Sequence, residues 1–215
     1  MRPLSIIALT LLLQTLSAYA GGSVQGTVVL DALRPPTVDA GYKPKTVKPI
    51  QGEEPATAIV WLEKNGGAAY PQTRAAEVVK IQQSGYQFRP SFVALQTGAS
   101  AEFPNGDDEF HNVFSYSKIR RFDLGRFRKE EPSPRIKFDK PGLVKIYCEI
   151  HQHMRCRVLV LDTPWFAVTD TQGQFKINGL PAGEYQIKAL LPSEKTIQQT
   201  VTVADGKTAR VQLSR

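Results

Sequence analysis

All three histidines of the chain, His111, His151 and His153, belong to one donor-rich pattern with Cys148 and Met154. Its densest part reads Cys148-Glu-Ile-His151-Gln-His153-Met154, and the chain's other methionine is Met1 and its other cysteine Cys156. A thiolate, imidazoles and a thioether are soft or borderline donors that suit copper. Two imidazoles and a thiolate in a plane, capped by a distant thioether, make a mononuclear site for one-electron transfer. Cys148, His151 and Met154 stand three apart, so a tight loop can aim all three at one point while His111 arrives from a distant segment. On this reading His111, Cys148 and His151 are the equatorial ligands of one type 1 copper ion and Met154 is the weak axial ligand. His153 is expected to project away from the metal, to solvent or toward a partner.

Such donors need rigid strands beneath them. Val144, Ile146 and Cys148 alternate with Lys145 and Tyr147, so the sulfur shares the apolar strand face and points inward. After the loop, Cys156-Arg-Val-Leu-Val-Leu161 is β-branched and apolar and predicts a second strand, so the loop joins two neighbours. Residues 76 to 162 hold further strand-like runs at 76–83, 87–95, 101–103, 111–115, 121–127 and 135–138. With these short runs, frequent turn residues and few helical stretches, the chain is expected to be all-β.

At the donor pattern the chain resembles the cupredoxins, the blue copper proteins. Phe88-Arg-Pro-Ser-Phe-Val93, Gly98 and Ala101-Glu-Phe-Pro-Asn105 look like that family's approach to its first ligand, and His111-Asn-Val-Phe-Ser115 like the ligand segment. The short Cys-x-x-His-x-x-Met loop is similar to that of amicyanin rather than plastocyanin. The resemblance implies that Asn112 ties the two ligand segments together. Phe122-Asp-Leu-Gly125 and Trp165-Phe-Ala-Val-Thr-Asp170 resemble a group of exported plastocyanin-like proteins often called methylamine utilization proteins. Cys156 departs from the pattern and puts the redox state of the site in question.

Both flanks carry more strands. Thr169-Asp-Thr-Gln-Gly-Gln-Phe-Lys-Ile177 and Leu180-Pro-Ala-Gly-Glu-Tyr-Gln-Ile187 resemble the carboxypeptidase-regulatory-like fold, a small transthyretin-like β-sandwich. Its opening strands are missing there, but Val24–Val29 and Ala58–Leu62 could supply them. The expected architecture is therefore a cupredoxin Greek-key sandwich at 74–163, inserted into a second sandwich made of 21–73 and 164–215. Between the N-terminal strands lie Pro35, Pro36, Pro44, Pro49 and Pro55, which remove ladder donors and predict a long surface loop. A competing reading lays the N-terminal strands on the cupredoxin sheet.

Residues 1–20 have Arg2, an apolar stretch from Leu4 to Leu13, no acid, and end in Ala18-Tyr-Ala20, the pattern of a cleavable signal peptide. The apolar stretch is well short of the roughly 20 residues that span a bilayer, so export to the periplasm without a remaining membrane span is expected. Two cysteines in an exported chain could instead form a disulfide, Cys148 to Cys156, leaving the histidines incidental.

The formal net charge is +7. Lys118, Arg120, Arg121, Arg126, Arg128 and Lys129 form a basic run that could steer an acidic redox partner such as a cytochrome or dehydrogenase. A solvated charged face is the competing reading, and nucleic acid is not expected for an exported copper protein. Three histidines cannot also furnish a second copper cluster, and none remains for a serine-type triad. The chain is therefore expected to be an electron carrier, not an enzyme; the alternative is a module for copper storage, sensing or delivery.

Overall fold

The computed structural model describes residues 21–30, 52, 54–66 and 69–214. The signal-peptide expectation and most of the Pro-rich loop lie outside these residues. Among the described residues there is no helix, and seventeen strands, numbered β1 to β17 in chain order, make an all-β molecule.

A five-stranded sheet carries the donor pattern. Its order is β6 (Phe92–Gln96), β12 (Arg155–Leu161), β11 (Gly142–Tyr147), β8 (His111–Ser115) and β9 (Phe122–Phe127), with β6 parallel to β12 and the other pairs antiparallel. Across from it lie a three-stranded sheet, β10 (Ile136–Lys137), β7 (Ser100–Glu102) and β3 (Val78–Lys80), and the short pair β4 (Gln82–Gln83) and β5 (Phe88–Arg89). Period-two alternation sends Val144, Ile146 and Cys148 into one core with Val93, Leu95, Val113, Val158 and Val160, facing Ala101, Phe103, Ile136 and Phe138.

Two runs expected as single strands are broken. The run 76–83 divides at Ile81, which is fully buried where the chain passes from β3 to β4. There the Gln83 side chain donates to the Phe103 carbonyl, anchoring the crossing inside the core. The run 87–95 divides at Pro90 and Ser91, where proline offers no N–H to a ladder.

A second pair of sheets uses the two ends of the chain. One has the order β14 (Gln174–Leu180), β1 (Gly22–Val28) and β17 (Thr208–Leu213); the other, β13 (Phe166–Val168), β2 (Ile59–Lys64), β15 (Gly183–Leu190) and β16 (Thr196–Val203). Thus β1 pairs antiparallel with β14 and parallel with β17, and β2 pairs with β13 and β15. Their facing sides share a core of Val24, Val60, Leu62, Ile177, Tyr185, Ile187 and Val201.

The two sandwiches also meet. Ile59, Trp61, Phe166 and Leu190 on one side pack against Phe92, Ala94, Leu159 and Leu161 on the other. Strands β2, β6 and β12 are therefore apolar on both faces, which is why Ile59-Val-Trp-Leu62 and Val158-Leu-Val-Leu161 read as continuous runs. A fully buried side chain of this kind contributes about 1.5–3 kcal/mol relative to exposure, so parting the sandwiches would be costly. Arg157 clamps the same junction, its guanidinium stacked 4.4 Å over Phe92 and donating to the Pro192 carbonyl at 2.6 Å.

The β1–β17 pairing leaves no room for a side chain at Gly26, where a Cβ would sit 2.0 Å from the Val211 carbonyl oxygen. Gly26→Ala is expected to lower stability by about 1–3 kcal/mol, read as a lower urea midpoint by circular dichroism. An unchanged midpoint would contradict this close approach.

Candidate metal centre

The centre is built where β8 and the β11–β12 loop meet. Tyr147 is paired with Phe114 on one side and Arg155 on the other, so the flanks of both segments are held in register. The loop closes on itself: the Met154 N–H donates to the His151 carbonyl at 2.9 Å, and the Cys148 N–H donates to the Met154 carbonyl at 3.4 Å.

Three donors converge. Single ligand atoms of His111, Cys148 and His151 lie within 4.8 Å of one another. The two Nδ1 atoms are 3.0 Å apart, and the Cys148 sulfur is 3.9 Å from His151 Nδ1. His111 and Cys148 are buried, while His151 is half-buried and reaches the surface. Met154, fully buried, lies in the same core cluster as Cys148. This donor set of two imidazole nitrogens and one sulfur fits a single copper or zinc ion, with sulfur favouring the softer metals.

Asn112 braces the centre through backbone and side chain. Its N–H points at the Cys148 sulfur at 3.5 Å, and its side-chain oxygen accepts the Glu149 N–H at 3.4 Å. Its side-chain nitrogen donates to Asp123 at 2.8 Å and to the Gly125 carbonyl at 3.1 Å. An irregularity in the β8–β9 register between Asn112 and Phe114 sits at this point.

Sequence reasoning missed two neighbours. Asp107 lies 2.9 Å from His111 Nε2, and the Tyr86 ring stands edge-on to both imidazoles, with centroids 5.9 and 5.1 Å away. Asn105-Gly-Asp107-Asp108 and Gly85 are turn signals in the sequence, but nothing local indicates that the two turns meet.

His153 stands outside the three-donor cluster and is half-buried, its ring 6.1 Å from His151 and its Nε2 buried without a partner. Burial lowers its basicity, opposed in part by a hydrogen bond with the Tyr86 backbone. One alternative needs correction: the disulfide reading fails, because Cys148 and Cys156 are both free. Cys156 lies opposite Ile146, and its thiol approaches the Pro90 carbonyl at 3.7 Å. Burial first, and then the Glu54 carboxylate, push that thiol far above its usual range, so it stays protonated and a poor ligand.

Phe110 and Ile150, each next to a donor histidine, are 39% and 40% exposed and give the centre an apolar rim. Within the basic run, Arg126 pairs with Glu149 at 2.6 Å and Lys129 with Asp108 at 3.4 Å. Arg128 stacks 4.2 Å over Phe110.

A scan of protein-family models finds no match, and a search of curated proteins finds none either. Among solved structures, the chain is similar to the Cu-containing nitrite reductase (NirK) from Thermus scotoductus SA-01, at 27% identity and a TM-score of 0.36. That alignment covers 38% of this chain and 22% of the reductase, so the chain spans under a quarter of its length. It is also similar to the Cu(I) form of a point mutant of amicyanin, at 17% identity and a TM-score of 0.36 over 47% of this chain and 97% of amicyanin. A purple cupredoxin from Nitrosopumilus maritimus gives 20% identity and a TM-score of 0.35 over 40% of this chain and 99% of that one. The described residues are all-β.

The Asn112 side chain bonds groups from two other segments, β9 and the loop at Glu149, so Asn112→Ala is expected to destabilise the metal-free protein by about 1–3 kcal/mol. Urea denaturation followed by fluorescence measures this, and a change under a few tenths of a kcal/mol would mean the bracing contributes little.

Proposed function

We propose that the chain is a copper-binding electron-transfer protein in which His111, Cys148 and His151 hold one copper ion in their plane and Met154 caps it. The observation that carries this reading is the convergence of two imidazole nitrogens and a sulfur within 4.8 Å, with His111 and Cys148 buried. Bound copper would supply a one-electron couple between Cu(II) and Cu(I).

The chain's own residues account for the rest. The strands under Cys148 and His111 restrict movement of the donors, which suits a site whose geometry changes little with oxidation state. Tyr86 and the core exclude water from His111 and Cys148, while the half-buried His151 offers a route to the surface through its ring. The rim of Phe110 and Ile150 supports docking of a redox protein there. We propose an acidic partner, since Lys118, Arg121 and Arg128 supply positive charge on the same sandwich. The ion pairs of Arg126 and Lys129 reduce the charge available for steering and are individually worth little, about 0–1 kcal/mol.

Within the same proposal, residues 74–163 form the copper domain, and 21–73 with 164–215 form a carboxypeptidase-regulatory-like sandwich around it. Two separate core clusters support this division. Export to the periplasm is proposed from the sequence of residues 1–20.

Loading the purified protein with Cu(II) should produce an intense visible thiolate-to-copper band. Cys148→Ser should abolish it, whereas Cys156→Ser should leave it unchanged. Met154→Leu should keep the colour and raise the reduction potential, because a weaker axial donor favours Cu(I). A colourless protein that binds only Cu(I) and releases it readily would instead support copper storage or delivery.

Stopped-flow electron transfer to an acidic redox protein should slow with salt, since the Debye length shrinks from about 10 Å at 0.1 M to about 3 Å at 1 M. Joint neutralisation of Arg120, Arg121, Arg126 and Arg128 should remove most of that dependence. Rates indifferent to both changes would exclude steering by this segment.

A further inference from the structure

Asp107 occupies a more constrained position than a chance neighbour of a histidine would. Its Oδ1 accepts the Gly85 N–H at 2.8 Å and its Oδ2 accepts the Tyr86 N–H at 3.0 Å, with His111 Nε2 2.9 Å from the same Oδ2. Its own N–H donates to Asn105 Oδ1 at 2.9 Å, and Asn105 is in turn bound to the Glu109 and Phe127 carbonyls. The carboxylate therefore cannot swing away from His111 without breaking its bonds to the Gly85 and Tyr86 N–H groups. Its side chain is only 15% exposed and the imidazole beside it is fully buried, so water competes little for this contact.

An ionised carboxylate only accepts hydrogen bonds, and a neutral imidazole has one donor and one acceptor nitrogen. We propose that Asp107 is a positioning residue for the metal centre: it takes the Nε2 hydrogen bond of His111, leaving Nδ1 as a lone pair turned toward Cys148 and His151. The ring orientation agrees, because His111 Nδ1 is the atom that faces His151. A neutral carbonyl could select the same tautomer; a carboxylate adds negative charge, which favours a doubly charged metal over a singly charged one and makes the imidazole a stronger donor.

The proposal deepens the copper reading and rests on it only for the metal-binding part of its test. In the metal-free protein, long-range nitrogen–proton NMR should find His111 protonated at Nε2, and Asp107→Ala should give a mixture of tautomers. Asp107→Asn cannot satisfy all three donors, since its amide nitrogen meets either the Gly85 N–H or the Tyr86 and His111 donors. It is expected to weaken Cu(II) binding by about 10–100-fold and Cu(I) binding by less. For a one-electron couple, each tenfold difference raises the reduction potential by about 59 mV.

Urea denaturation of the same metal-free variants separates positioning from bracing. A lowered midpoint with an unmoved tautomer and an unmoved Cu(II)-to-Cu(I) affinity ratio would overturn the proposal, as would a wild-type His111 protonated at Nδ1. Should the wild-type protein bind no copper, the electron-transfer reading fails, and the NMR arm still decides the role of Asp107.

Discussion

Two imidazole nitrogens and a sulfur held close together, two of the three side chains buried, set the terms for everything around them. Polar groups removed from water cost free energy unless their remaining valences are met, and here they are met from outside the cluster. Asp107 takes the far nitrogen of His111, the Asn112 N–H points at the Cys148 sulfur, and the loop carbonyls of His151 and Met154 are bound within the loop. These contacts orient the three side chains toward one another.

That local order depends on sheets packed on both sides. The inner face of the five-stranded sheet holds Cys148, Met154 and Val113 in one core, while the outer faces of β6 and β12 are covered by β2, β13 and β15. Interiors at close-packed density transmit displacement, so a change in the second sandwich would be felt by β12, which begins where the donor loop ends. Arg157, on β12, lies between Phe92 of the donor sandwich and Pro192 of the other. The second sandwich is in this sense a support for the donor loop.

Charge at the surface is more balanced than composition implies. The chain is basic overall, yet Arg126 and Lys129 are answered by Glu149 and Asp108, and Glu149 directly follows the donor Cys148. What remains beside the donor histidines is an apolar rim, with Arg128 stacked on Phe110 at its margin.

Much of this was legible before any fold was known. The choice of His111, Cys148 and His151 as candidate donors, the inward face of Cys148 and the all-β character follow from residue type and a period of two, which are properties of neighbouring residues. The breaks at Ile81 and Pro90, the burial of His153 Nε2 and the burial of Cys156 were not legible. Nor was Asp107, whose contacts come from Gly85 and Tyr86 in a separate turn. Local sequence states which faces are apolar and which side chains can bind a metal, because each needs only its own strand. Which turn meets which histidine, and which apolar face covers which sheet, is decided when segments far apart in the chain are brought together by packing, and only tertiary structure carries that information.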